Sequence, residues 1–355
     1  MCDVTRREML IGGAAILGLA ATNTHGAVEL ASRKTSPMTP PEINKVDQLA
    51  EDVYFHEGDL LTHGHCNNGW IVFEDYVLVI DAGYPSAAKL ILPKIRAITD
   101  KPIRFAFDTH HHGDHAYGNQ ILVDNGAVPI AHTGVLDEMK RYETGYYGGA
   151  PGRWEQTAPQ RPDVKETRLK PPSVLFPKDL IFDDGKHRVE LMHLGVAHTH
   201  GDAFAWLPKE RIVFTGDACV NGPFNFVADG NVEQWIKTLD AAKTLGARVI
   251  CPGHGPRDVT ELLTVQQQFF QMLWSGVGKL VSAHKAAEDV RAAVPALMAE
   301  VKGNAGLARY VGTGFGGQVE KVYTEMTGRG FPAQPKSAAA GRDVHAHAHG
   351  LSRLA

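Results

Sequence analysis

The chain is predicted to form a sheet-based α/β fold with its functional site on one rim. Three observations lead there. Apolar runs of strand length alternate with helix-spaced segments in both halves of the core. Several of these runs stop at a Gly-containing loop. Those same loops carry the histidines and aspartates best suited to bind a cation, so the site is assembled from loops at strand ends.

The elements follow in order. Regular structure is expected from about Val53. Trp70-Ile71-Val72-Phe73 and Tyr76-Val77-Leu78-Val79-Ile80 read as two strands joined by the polar turn Glu74-Asp75, with Asp81-Ala82-Gly83 closing the second. Leu90, Ile91 and Ile95 give Ser86 to Ala97 a helical spacing. Ile103 to Phe107 is the next strand, and a short one lies within Ile121 to Ile130. Gly145 to Pro177 keeps neither period and is rich in Gly and Pro, with Tyr146, Tyr147 and Trp154 among them. A loop of that length is expected to be a lid over the site or a packing arm. Strands resume at Val189 to Met192, Ala203 to Trp206 and Arg211 to Gly216. Asn231 to Leu245 is an amphipathic helix, with Asn231 and Gln234 as its capping box and Gly246 as its stop. Ala247 to Ile250 is a further strand, and helical spacing dominates from Thr260 to about Met326.

These elements define the expected domain plan: an export signal over 1–27, a linker over 28–48, the sheet domain over 49–259 with the 145–177 insert, a helical region over 260–328, and a mobile tail over 329–355 containing His345, His347 and His349. Thr5-Arg6-Arg7-Glu8-Met9-Leu10 followed by the apolar run to Ala21 is a twin-arginine pattern, cleaved near Ala20 to Ala27. The run is too short and its side chains too small for a stable span. The expected location is therefore the periplasm or the exterior, reached through the twin-arginine export machinery. Cys66, Cys219 and Cys251 remain after the signal, an odd number that leaves at least one free thiol and implies no disulfide framework. A net charge of −4 over 355 residues is too mild for a nucleic-acid partner, so a small-molecule substrate is expected and the oligomeric state is left open.

The most informative stretch is Thr109-His110-His111-His112-Gly113-Asp114-His115, a His-x-His-x-Asp-His pattern directly after an apolar strand. So many imidazoles beside a carboxylate make physical sense around a cation, and nitrogen and carboxylate donors suit zinc and similar first-row ions. Alternate residues His110 and His112 point the same way in extended chain. Gly113 permits a bend that sends Asp114 and His115 elsewhere, so one loop can serve two ions. Three more candidates stand where strands meet Gly-rich loops: His198, Asp217 and His254. His111 and His200 read as loop residues outside the ligand set, and His63 and His65 as part of a loop beside the site. Cys219 is a weaker rival for the place of Asp217.

This set resembles the metallo-β-lactamase superfamily, over roughly Val53 to Pro256. The resemblance implies an αββα sandwich, here with a C-terminal helical extension, and two bound Zn2+ ions, with Fe or Mn as possible replacements. It implies that His110, His112 and His198 bind the first ion, that Asp114, His115 and His254 bind the second, and that Asp217 bridges them. Asp81 would orient ligands from behind. The implied reaction is hydrolysis, a metal-bridging hydroxide attacking an activated carbonyl of a β-lactam, lactone or thioester, with Asp114 orienting the nucleophile and moving its proton. Asn67-Asn68-Gly69-Trp70, Phe214 to Val220 and Pro252-Gly253-His254 are similar to the β-lactamases themselves. The chain departs from those in two places: they carry Cys where Asp217 stands, and usually Lys where Val220 stands. The alternatives are a β-lactamase proper, a di-iron redox protein of the same fold, and a metal-binding protein without turnover.

Overall fold

A computed structural model describes residues 43–140 and 152–331. The signal segment, Tyr146, Tyr147 and the three tail histidines lie outside the described residues.

Two sheets face each other. The first runs β1 (Val46–Ala50), β2 (Val53–His56), β3 (Asn68–Val72), β4 (Val77–Ile80), β5 (Ile103–Asp108), β6 (Val128–His132), β7 (Val174–Phe176), in that spatial order. The second runs β12 (Val249–Pro252), β11 (Ile212–Gly216), β10 (Phe204–Leu207), β9 (Arg188–Met192), β8 (Asp179–Asp183). β4 through β7 pair in parallel, as do β11 and β12. The remaining pairs are antiparallel. The helices are α1 (Leu60–His63), α2 (Pro85–Arg96), α3 (Gly113–Ala116), α4 (Asn119–Asp124), α5 (Thr133–Met139), α6 (Arg153–Thr157), α7 (Pro162–Lys165) and α8 (Val232–Thr244). After them come α9 (Glu261–Ser282), α10 (Ala287–Ala292), α11 (Val294–Lys302) and α12 (Phe315–Thr327).

Strand alternation builds the layers. In β3 and β4, Ile71, Leu78 and Ile80 point between the sheets, where they meet Leu191, Ala205, Ile212 and Phe214 of the second sheet. Their neighbours Trp70, Val72, Val77 and Val79 point outward under Ile91 and Ile95 of α2 and Leu122 of α4. The second sheet repeats this: Phe204, Trp206, Val213 and Ile250 turn outward into a core with α8, α9 and α12. Both faces of each central strand are thus buried, and so the strands read as continuous apolar runs. The result is the αββα sandwich with C-terminal helices.

Three expectations are corrected. The first sheet begins at Val46, inside the span read as a linker, because Val46 to Ala50 pairs with β2. The described part of the 145–177 insert is not structureless: it holds α6 and α7 and ends in β7, which extends the first sheet beside β6. β8 carried no signal because it is an edge strand with exposed Asp179, Ile181 and Asp183. At the end of the sandwich opposite the histidine loops, Lys186 pairs with Asp52 at 2.6 Å and Glu51 at 2.9 Å, and Glu74 N–H donates to Asp184 at 2.7 Å, tying the turns of one sheet to those of the other.

α8 starts at the expected cap, Asn231 accepting from the Gln234 N–H at 2.8 Å, but the box is not closed, because the Asn231 N–H goes to the Ala197 carbonyl at 3.1 Å. Its fully buried Trp235 packs on Phe270 of α9 and donates to the Ala218 carbonyl at 2.8 Å. Trp235→Ala should therefore lower unfolding free energy by about 3–5 kcal/mol, read by urea denaturation. A loss under about 1 kcal/mol would show that this helix–loop contact contributes little.

Candidate metal centre

Parallel pairing explains why distant residues meet. β4 and β5 end side by side and deliver Asp81 and the 109–115 loop. β11 and β12 do the same for Asp217 and His254. His198 comes from the loop between β9 and β10. All seven expected ligands are brought together. The donor atoms of His110, His112 and His198 lie within 4.8 Å of one another, as do those of Asp114, His115 and His254, and those of His110, His115 and Asp217. Asp217 stands between the groups, 3.3 Å from His115, 3.4 Å from His254 and 3.5 Å from His198. Gly253 is required there, since a Cβ would fall 2.0 Å from the Asp217 carboxylate.

Four imidazoles have their outer nitrogen committed elsewhere. His198 Nδ1 donates to the Phe226 carbonyl at 2.7 Å, and His112 Nε2 to Asp229 at 2.8 Å. His115 Nδ1 donates to Asp81 at 2.9 Å. The Thr109 hydroxyl donates to Asp81 at 3.0 Å and accepts from His110 Nδ1 at 3.1 Å. Each ring therefore turns its other nitrogen inward, where a cation can take the lone pair once any proton has left. His198 Nε2 and His112 Nδ1 face each other at 2.8 Å. His110 Nε2, His115 Nε2 and Asp217 Oδ1 are buried without a hydrogen bond. Two nitrogen lone pairs at that separation repel unless a proton or a cation lies between them. The donor set fits a divalent metal.

Electrostatics agree. Burial drives His112 down to about 3, against the opposing pull of Asp229. Burial and the neighbouring His115 hold His110 well below the usual range. Burial also works against charge on His254, yet Asp217 and Asp114 raise it to about 9. His115 is likewise raised despite burial, by Cys66, Asp114, Asp217 and Asp81.

Asp81 sits where expected, behind His115, and also accepts the Thr109 N–H at 2.9 Å. Its backbone is left-handed, φ 58°, a conformation Asp tolerates better than most residues. Other candidates fall outside the cluster. His63 pairs with Asp59, His65 with Ser86, and His200 is exposed. His111 is a loop residue but fully buried, 3.8 Å from Asp229. Cys219 is buried in the helical core, its thiol held high by desolvation. Val220, at the position of the β-lactamase lysine, is fully buried there too.

Sequence reasoning missed three contributors. Asp229 accepts from His112 and is held by Arg153 at 2.8 and 3.3 Å. Arg153 belongs to the insert, and its neighbour Trp154 packs on Tyr117 at 4.6 Å, so the described part of the insert is packed beside the centre. Cys66 groups with Asp81 and His115, its thiol pushed up to about 12 by burial. Asp229 follows no ligand motif; only the turn Ala228-Asp229-Gly230 before a helix cap hinted at a fixed position.

The carboxylates of Asp217 and Asp114 keep His254 protonated at neutral pH, and a cation must displace that proton. Metal binding at pH 7 should release protons, that of His254 among them, read by calorimetry in buffers of different ionisation enthalpy. The number should fall as pH rises through about 9, where His254 loses its proton unaided. Binding without proton release would contradict this charge state.

The family profile described as Metallo-beta-lactamase superfamily matches residues 61–254. The chain is similar to the Metallo-beta-lactamase type 2 of Bacteroides fragilis, 32% identical over 110 residues, which is 30% of this chain and 44% of that protein. It is 28% identical over 186 residues to the Beta-lactamase-like protein 2 homolog of Caenorhabditis elegans, 50% of this chain and 52% of that one. The chain thus spans about half the length of these curated relatives. Among solved structures, a metallo-beta-lactamase from Pontibacter korlensis superposes with a TM-score of 0.51 at 19% identity, covering 64% of this chain and 98% of the other. The DIM-1 metallo-beta-lactamase gives 0.51 at 18%, covering 64% and 96%. At such identities the likeness is one of fold, and the sequence profile carries the assignment: the chain belongs to the metallo-beta-lactamase superfamily.

Proposed function

We propose that the protein is a metal-dependent hydrolase of activated carbonyl compounds, with β-lactams, lactones and thioesters as substrate classes. The observation that carries this reading is the set of inward-facing ring nitrogens of His110, His112, His115 and His198 around the carboxylate of Asp217. His110, His112 and His198 would hold one ion; Asp114, His115 and His254 would hold a second, with Asp217 touching both. Zinc suits this donor set, with iron or manganese as alternatives. Such a pair, when bound, supplies a water-derived nucleophile near neutral pH and polarises the substrate carbonyl.

The chain's own groups supply the rest. Asp114, buried and 3.0 Å from His254, is placed to take a proton from the attacking water and return it to the leaving group. Asp81 and Asp229 keep the rings of His115 and His112 in one tautomer. Phe224 and Phe226, with ring centres 5.9 Å from His254 and 5.6 Å from His112, offer apolar surface beside the centre. Val220, buried in the helical core, offers no cation to a substrate carboxylate, and Arg153 is engaged by Asp229. Losing such a charge-assisted contact weakens binding by about 1.5–3 kcal/mol, which ranks neutral lactones and thioesters ahead of carboxylated β-lactams.

We also propose export to the periplasm or beyond, from the twin-arginine pattern at Thr5 to Leu10, with residues 1–27 removed. No helix among the described residues is long and apolar enough to cross a membrane. N-terminal sequencing of the fractionated mature protein tests this; an intact Met1 in the cytosol would overturn it.

Metal analysis paired with a hydrolysis panel tests the main reading: a chromogenic cephalosporin, an acyl-homoserine lactone, an acyl thioester and a phosphodiester. Two equivalents of metal and turnover of a carbonyl substrate are expected. His198→Ala should lower kcat/KM by about 100-fold or more, since changes one layer further out already cost 10–100-fold. Turnover confined to the phosphodiester, or iron with oxygen consumption and no hydrolysis, would overturn the assignment.

A further inference from the structure

The loop 218–231 leaves the centre at Asp217 and returns to it twice, through the Phe226 carbonyl on His198 and the Asp229 carboxylate on His112. Both inner lone pairs of those rings depend on where this loop lies. Its ends are held by the sandwich: Asn221 N–H donates to the His254 carbonyl and Asn231 N–H to that of Ala197, at 2.8 and 3.1 Å. Its middle is held from the other side. Gln318 of α12 donates to the Asn225 carbonyl at 2.6 Å, and Gln266 of α9 donates to the Asn225 side-chain oxygen at 3.0 Å while accepting the Val220 N–H at 2.8 Å. Lys321 of α12 reaches the Ala228 carbonyl at 3.3 Å, and Glu325 accepts the Val232 N–H at 2.9 Å. Gln266, Gln318 and Asn225 are all buried, so these amides meet protein rather than water, and leaving one unpaired is costly. These helices lie beyond residue 254, where the family profile ends.

We propose that the C-terminal helices α9 and α12 are part of the metal-binding apparatus: gripping Asn225 through Gln266 and Gln318, they set the Phe226 carbonyl and Asp229, and thereby the affinity of the three-histidine half of the centre. Gln266 and Gln318 are positioning residues, touching neither metal nor substrate. The inference rests on metal binding by the cluster and is independent of the bond hydrolysed. It also separates the two halves. Residues 222–230 give His112 and His198 their orienting hydrogen bonds, whereas His115 is oriented by Asp81 and His254 meets this loop through the Phe224 ring at 5.9 Å.

The test is a Zn2+ titration against a chromophoric chelator in the full chain. In a His254→Ala background, which isolates the three-histidine half, Gln266→Met with Gln318→Met should weaken binding roughly tenfold or more. In a His198→Ala background the same pair should change affinity less than about twofold. Leu273→Ala removes packing from α9 two turns beyond Gln266 and takes away none of the hydrogen bonds that grip the loop; it should lower Tm yet leave both affinities in place. The His198 Nδ1–H resonance should exchange faster with solvent in the double variant, a change that general destabilisation by Leu273→Ala does not reproduce. Should the double variant fail to fold, Gln318→Met alone is read the same way. Equal losses in both backgrounds, or no loss in the first, would overturn the proposal. A wild-type chain that takes up no Zn2+ would instead overturn the metal reading itself, and this inference with it.

Discussion

One buried carboxylate holds the centre together. Asp217 lies within 3.5 Å of His115, His198 and His254, which arrive on three separate loops. Burying a charge is costly unless it is paired, and here two of the pairing groups are imidazoles whose charged forms the surrounding carboxylates favour. The surrounding architecture serves this meeting. Parallel β11 and β12 bring Gly216 level with Pro252, so the residues that follow them, Asp217 and Gly253-His254, leave the sheet together. Gly253 has no side chain because the carboxylate occupies that space.

Around the carboxylate stands a second layer that decides which face each imidazole shows. Asp81, Thr109, Asp229 and the Phe226 carbonyl each engage one outer nitrogen or, through Thr109, relay to one. They come from both sheets and from the loop under the helices, so the tautomers of four rings are set by the fold as a whole. Two nitrogens 2.8 Å apart, both with lone pairs facing inward, are an unfavourable arrangement that the fold sustains and a cation would relieve.

Much of this was legible in the sequence. The ligand residues sit at the ends of apolar runs, and the spacing of His110, His112, Asp114 and His115 is too specific to be filler. The central strands were readable because both their faces are buried, which leaves uninterrupted Val, Ile, Leu and Phe. β1, β7 and β8 were not: all three are edge strands, β1 and β8 with polar residues such as Gln48, Asp179 and Asp183 at exposed positions, and β7 with three residues too short to show a pattern. Asp229 and Arg153 were invisible because their pairing spans 76 residues and neither belongs to a local pattern. Gln266 and Gln318 read as ordinary polar positions on amphipathic helices. Only the fold shows that they face inward.

The two ends of the sandwich have divided their labour. The candidate metal ligands lie where strands β4, β5, β11 and β12 finish and, for His198, on the loop between β9 and β10, while the ion pairs of Lys186 with Glu51 and Asp52 sit where the opposite turns meet. Exposed pairs of that kind add little stability each, and they share no atom with the histidine cluster. That base is consequently the natural handle of the molecule: a tag, a surface tether or a lengthened turn placed there would leave the geometry of the histidine–aspartate cluster intact.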